Sequence, residues 1–407
     1  MRKITAAAAR TLILLLWVSA ARPVKAQQEL PYHLYLPLVA HAGYIYLPLI
    51  SNVTPQSSVP PGGTITAVVF DPVTPQTIYA ASFDGGVYKS MNGGISWFQV
   101  NNGLPTVEIN TLAIDPTDPS VLYAGPYRYG IYKTSDGGLT WVKASSGLPD
   151  QTIAYSIAVT PAAPQTVYVG FRIYISGWGP PWYGGIYKST DGGLTWSAAF
   201  INIGGSGEQD WVYSLELDPS SPSTIYAAAH ETGMYRSRDS GKTWQPIDTG
   251  LTDLTTRTVI ADPGNPAVLY TATWHRNGVF KSLDHGDTWT NYPDGSYGGK
   301  FMQLAVDPKN TATLYAATEN LGILKSTSAG TSWFNVLGSP TFFYCIAVDP
   351  ANSSILLAGA SAAGLWESAD HGATWSQVHW GFTSTGKITD LSTLPDFSAE
   401  DPLPPPR

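Results

Sequence analysis

From residue 61 onward the chain keeps one rhythm of short apolar runs separated by polar breaks. "INTLAIDPTDPSVLYAG", "VYSLELDPSSPSTIYAAA" and "FMQLAVDPKNTATLYAAT" are three instances of it. Each continues through a Gly-containing loop, a segment such as "GIYKT", a polar octet such as "TSDGGLTW", and a last segment read as "TWxxV". β-branched and aromatic residues, broken by Pro and Asp-Gly about every 8–12 residues, predict strands throughout. No stretch carries a capped apolar period of 3.6 residues, so helices are not expected.

The Trp that closes each octet sets the period. Trp97, Trp141, Trp196, Trp244, Trp289, Trp333 and Trp375 are separated by 44, 55, 48, 45, 44 and 42 residues. Four short strands repeated seven times at this spacing predict an all-β fold, a seven-bladed β-propeller of four-stranded antiparallel blades over residues 61–390. A β-helix has shorter rungs, and a sandwich does not repeat.

The ends read differently. Residues 1–26 carry Arg2 and Lys3, an apolar run from Leu12 to Val18 and a small-residue exit at Ala26, which reads as a secretory signal. Residues 27–60 form a Pro/Ser-rich linker around a doublet, "YLPLV" and "YLPLI", whose prolines argue against a central strand. "ITDLSTL", 388–394, resembles the first strand of an eighth unit or a ring-closing segment. The tail, 391–407, reads as disordered or extended.

Charge narrows the partners. The chain holds 22 basic and 30 acidic residues, a net charge of −8; loss of the five basic residues of the leader takes it to −13. Such a surface repels nucleic acid and anionic membrane, and no membrane insertion is expected after the leader is removed. Cys345, the single cysteine, lies in the apolar run "FFYCIAVDP" and reads as a small core residue. It excludes an intrachain disulfide and a multi-cysteine metal site.

The octet looks like chemistry but has a sufficient structural reading. Its acid, Asp136, Asp191, Asp239, Asp284 or Asp370, accepts backbone N–H groups across a turn; its Gly allows positive φ; its Trp wedges between sheets. One carboxylate per octet is too few for calcium. No metal and no cofactor is expected.

The octets resemble the Asp-box, or BNR, repeat S/T-x-D-x-G-x-T/S-W; five of the seven match in full, with Asn92 and Ser328 replacing the acid in the first and sixth. With "DPxxPxxxYxA" and "GxYKS" they make residues 61–385 similar to the Asp-box propellers of the sortilin type, of photosystem II assembly factors and of two-propeller xyloglucan-type glycoside hydrolases. The resemblance implies that the box joins strands three and four on the face opposite the ligand site. It speaks for fold more than for activity.

The opposite face, built by the loops between strands two and three and from strand four to the next blade, varies from unit to unit. Candidate ligand-binding residues there are Arg128, Arg172, Tyr174, Trp178, Trp182, Trp211, His230, Trp274, His275, Arg276 and Glu319. Planar aromatics beside charged groups suit sugar stacking or an extended peptide, so the expected partner is an extracellular glycan or protein. The competing reading is a glycoside hydrolase, which needs paired carboxyls; Asp84, Glu208, Asp210 and Glu231 are the acids available. In the two-propeller hydrolases the first acid lies in a segment like "YxxxDxGGxY"; in "YAASFDGGVY", Phe83 takes that position and Asp84 falls one residue late. A sialidase-like reading would use Arg128, Arg172 and Arg276. An assembly-factor reading wants a clustered arginine patch, whereas the seven arginines after the leader are spread over several blades.

Overall fold

The computed structural model describes residues 4–5, 39–41, 44–46, 63–173, 184–201, 211–275, 278–292, 299–338 and 342–378. The chain divides into two units, Met1–Ser58 and Val59–Arg407. In the first, Ile4–Thr5, Tyr44–Tyr46 and Val39–His41 form a small antiparallel sheet in that order. Most of the expected signal and of the linker, residues 388–394 and the tail lie outside the described residues.

The second unit is the predicted propeller: seven sheets, each of four consecutive antiparallel strands. Blades 1 to 7 span residues 65–99, 109–143, 152–201, 212–246, 256–292, 301–337 and 343–378. The first strand of each blade packs beside the first strand of the next, and Phe343–Val348 of blade 7 beside Ile65–Phe70 of blade 1, which closes the ring. Second strands such as Ile225–Ala229 and Leu314–Thr318 are buried along their whole length, as their unbroken apolar sequences require. Fourth strands are short, and they begin after the Trp rather than at it, as Phe98–Gln99 and Val142–Lys143 do. No helix among the described residues is long and apolar enough to cross a membrane.

The core is divided among the seams. Seven apolar clusters each join one blade to its neighbour, from Tyr79, Val100 and Trp141 between blades 1 and 2 to Ile65, Cys345 and Leu357 between blades 7 and 1. Cys345 is buried there, and burial pushes its thiol up to about 12.

The octets are turns between the third and fourth strands. In blade 3, Asp191 Oδ1 accepts the Thr195 N–H at 2.8 Å and Oδ2 the Thr195 hydroxyl at 2.5 Å, while Ser189 Oγ accepts the Gly193 N–H. The Thr195 hydroxyl first, then the Thr195 N–H and the Ser189 hydroxyl, which donates to Oδ1, hold the half-buried Asp191 carboxyl down at about 2. Asp136, Asp239, Asp284 and Asp370 make the same bonds in their blades. Both the fourth and fifth octet positions are left-handed, even where the fourth is Ser240, His285, Ala329 or His371.

That fourth residue's carbonyl is the anchor of the seam. Tyr79 Oη and Lys89 Nζ of blade 1 both donate to Gly137 O of blade 2, at 3.1 and 3.0 Å. Tyr123 with Lys133, Tyr168 with Lys188, and Tyr315 with Lys325 repeat the pair on Gly192, Ser240 and His371. Between blades 4 and 5, Arg236 donates to His285 O at 2.7 Å; between 5 and 6, Lys281 alone reaches Ala329 O. Several Trp residues add a bond to the preceding blade, as Trp196 Nε1 does to Ala144 O.

Candidate functional site: the mouth of the central channel

Because strands alternate in direction, the octets and the "DP" turns share one rim, and the loops that vary share the other. On the "DP" turns, Asp71, Asp115, Asp218, Asp262, Asp307 and Asp349 accept the amides two residues on, so these acids are spent on structure.

The first strands surround a channel of about 450 Å³. Every one of them carries a β-bulge near its start, at the same place in each blade. The bulged residue, five positions before the "DP" aspartate or its blade-3 equivalent Thr160, is Thr66, Asn110, Tyr155, Tyr213, Arg257, Met302 or Tyr344, and all seven line the channel. A bulge leaves one residue out of the ladder and re-aims its side chain. Sequence reasoning missed this ring, because a strict two-residue alternation places these side chains out of phase with the face they line. The column is nonetheless visible as a position where polar, aromatic and charged residues interrupt otherwise apolar first strands.

Cations and rings interleave around this mouth. The Arg172 guanidinium lies 4.8 Å from the Trp211 ring centre and 5.7 Å from that of Tyr155. Trp211 also stacks on His230 at 4.1 Å, and Tyr155 meets Tyr213 edge-on at 5.2 Å. Arg257 sits 3.7 Å from the Tyr213 ring centre and 4.8 Å from that of Trp274, over which Lys300 also lies at 4.8 Å. Lys300 in turn pairs with Glu319 at 3.3 Å. Arg172 of blade 3 and Arg257 of blade 5 both favour the ionised form of Tyr155, though burial dominates and pushes that phenol up to about 12.

Of the sequence candidates, the structure brings together Arg172, Trp211 and His230, and separately Trp274 and Glu319. Arg128 sits over Tyr127 in a left-handed turn position, and His275 is exposed and faces Asp253 at 3.4 Å. Trp211 is buried, so it supports the mouth rather than offering a free face. Tyr174, Trp178, Trp182, Glu208, Asp210 and Arg276 lie outside the described residues.

Among the acids, Asp84 is exposed and its Oδ2 accepts the Thr64 N–H at 2.7 Å; Phe83, not Asp84, lines the channel. Glu231 occupies a left-handed turn position, exposed, 3.9 Å from His230. A different carboxyl faces the lumen. Glu216 stands where the other blades carry Val69, Ala113, Ala158, Ile260, Ala305 and Ala347. Enclosure by the ring pushes it up to about 7, although its Oε1 accepts the Ala261 N–H at 3.2 Å. No group of three or more metal-ligating side chains converges among the described residues.

Comparison with known proteins places this geometry. No family model matches the chain. A xyloglucanase of Hypocrea jecorina is 26% identical over 215 residues, 50% of this chain and 20% of that protein. The xyloglucanase Xgh74A of Acetivibrio thermocellus is 32% identical over 102 residues, 23% of this chain and 11% of that protein. The chain therefore spans no more than a fifth of the length of these curated relatives. Among solved structures, the GH74 xyloglucanase of Xanthomonas campestris superposes with a TM-score of 0.64 at 19% identity, over 78% of this chain and 54% of that one. YCF48 bound to D1 peptide superposes with a TM-score of 0.56 at 16% identity, over 77% of this chain and 94% of that one. These likenesses establish a seven-bladed propeller with neighbours among GH74 xyloglucanases and YCF48 proteins.

Proposed function

We propose that this chain is a secreted glycan-binding propeller that takes its ligand at the channel mouth on the rim opposite the octets. The octets are of the Asp-box type in this reading, the propeller occupies 61–390, and the leader at 1–26 directs export. The observation that carries it is the ring of seven bulged side chains, of five different kinds, opening into a channel of about 450 Å³. The sequence matches to proteins named xyloglucanase favour a carbohydrate over a peptide.

Hydrolysis is the second reading, favoured by those same names. Against it, Asp84 is engaged by a backbone amide and Glu231 by a turn, and among the described residues Glu216 is the one carboxyl in the channel lining. A glycosidase of the ordinary kind needs two.

Affinity electrophoresis of the purified protein through xyloglucan and other plant and bacterial polysaccharides tests the choice. Retention without release of reducing sugar is the expected result. Tyr344→Ala should weaken retention about tenfold at unchanged melting temperature. Release of reducing sugar, lost on changing Asp84, Glu208, Asp210, Glu216 or Glu231, would establish the hydrolase instead.

A further inference from the structure

Among the described residues, Arg257 is a charge without a carboxylate partner. It is the bulged residue of blade 5, its guanidinium flanked by Tyr213 and Trp274, and its Nη2 meets only the Met302 sulfur, at 3.4 Å. Its Nε is buried with no hydrogen-bond partner, and among the described residues no carboxylate lies within ion-pair distance of it. Neighbouring cations are treated otherwise: Arg236 pairs with Asp287 at 2.8 Å and Lys300 with Glu319 at 3.3 Å. Glu216, the single carboxyl of the channel lining among the described residues, is held by blade 5 through the Ala261 amide rather than by Arg257. A thioether is a weak acceptor, so the Arg257 guanidinium, half-buried at the channel wall, keeps donor capacity for an anion.

The rings do not remain free for stacking in the way the aromatic content suggests. Trp211 already contacts His230 and Arg172, and Trp274 already contacts Arg257 and Lys300. They hold cations in place, so the mouth presents N–H donors more than ring faces. Arg172 reaches the same phenol, Tyr155, as Arg257.

We infer that Arg257, with Arg172 and the Tyr155 hydroxyl, receives the carboxylate of an acidic glycan, a uronate-bearing sugar. The planar guanidinium matches a carboxylate in two parallel hydrogen bonds, which a neutral hydroxyl cannot supply. The inference rests on the glycan reading of the same mouth and narrows it to acidic sugars.

Isothermal titration of the full chain with trigalacturonate and with its carboxyl-reduced counterpart tests it. The acidic trimer should bind at least about tenfold more tightly, an advantage that shrinks as salt is raised. Arg257→Gln should weaken the acidic trimer far more than the reduced one, so that the two bind alike; if that variant does not fold, Arg172→Gln reads the same difference. Equal affinity for the two trimers, insensitive to Arg257→Gln, would overturn the inference and leave the glycan reading standing. A glutamate-rich peptide that displaces trigalacturonate and binds as tightly would overturn the sugar class, and failure of both trimers to bind would remove both readings together.

Discussion

The seams and the channel mouth are made from the same repeat and obey opposite rules. At the seams, one tyrosine and one lysine of most blades converge on a single carbonyl of the next blade's turn, and the chemistry barely changes from blade to blade. At the mouth, one bulged position per blade takes a different side chain around most of the ring. Repetition marks what must fit a neighbour of fixed shape; variation marks what faces open space and is free to meet a ligand. Substitutions at the two places should therefore separate stability from binding.

The largest separation is expected at the seam glycines. Gly147 has φ +89°, and a Cβ there would stand 2.3 Å from the Trp196 carbonyl oxygen, a backbone atom that cannot rotate away. Gly147→Ala combines left-handed strain with overpacking and should cost about 3 kcal/mol or more. Chemical denaturation reads this loss, and glycan retention by the folded fraction should not move. Retention lost at unchanged stability would erase the distinction between seam and mouth.

A smaller cost follows from cutting one seam anchor. Tyr123→Phe with Lys133→Met leaves Gly192 O without its two donors, at 3.0 and 2.8 Å. The loss should be about 1–3 kcal/mol. Tyr344→Ala at the mouth is the matched control, weakening retention with little change in melting.

Glu216 lies inside the ring but answers to pH, which distinguishes it from the octet acids. Its carboxyl ionises near its ordinary 4.5 in the unfolded chain and near 7 in the folded one. The folded state holds the proton longer, so stability falls as pH rises from about 4.5 to about 7 and is level above. Lumen water solvates the carboxyl in part, so Glu216→Gln should gain about 1–2 kcal/mol at pH 8 and nothing at pH 4. The octet acids work in the other direction: Asp136, Asp191, Asp239 and Asp370 are held down at about 2, so their contribution is intact above 3.8 and is lost as pH falls toward 2. A Glu216→Gln protein with the unaltered slope between pH 4.5 and 7 would show that another group sets it.

How much of this was legible in the residues depends on whether a feature repeats. The Trp spacing, the buried second strands and the octet turns follow from local sequence, and the blades lie where those patterns put them. The Tyr–Lys anchor was equally visible in "LYA" and "YKS", but its meaning needs the next blade's carbonyl 56 to 72 residues from the tyrosine, as Tyr123 and Gly192 are, 69 apart. The mouth was legible only in part. Arg172, Trp211 and Trp274 were found through their loops, whereas Arg257, Tyr155, Tyr213 and Glu216 sit inside apolar strands, where a bulge or the lumen, neither written in a period, exposes them.

The smallest effect concerns the seam that carries neither a tyrosine nor a cation at the anchor positions. Where blade 7 meets blade 1, Leu357 stands in the tyrosine position and Glu367 in the lysine position, and burial raises the Glu367 carboxyl above the usual range. The acceptor is ready on the other side: Gly93, in the fourth position of the first octet, has φ +70°, like its counterparts. This joint relies instead on its apolar cluster and on bonds near the loop rim, Gly364 N–H to Gly63 O at 2.8 Å and Ala362 N–H to Thr64 Oγ1 at 3.3 Å. Leu357→Tyr with Glu367→Lys should supply the missing anchor on Gly93 O. Its gain is bounded at about 1 kcal/mol, because Leu357 is fully buried and a larger ring must find room in a packed seam. A rise in melting temperature of about 2 °C would mean that the ring-closing joint is the weakest of the seven for want of two side chains. A fall would mean that its leucine is fitted to the cluster and that closure there is a matter of packing, which would make this seam, and not the mouth, the place where the repeat departs furthest from its rule.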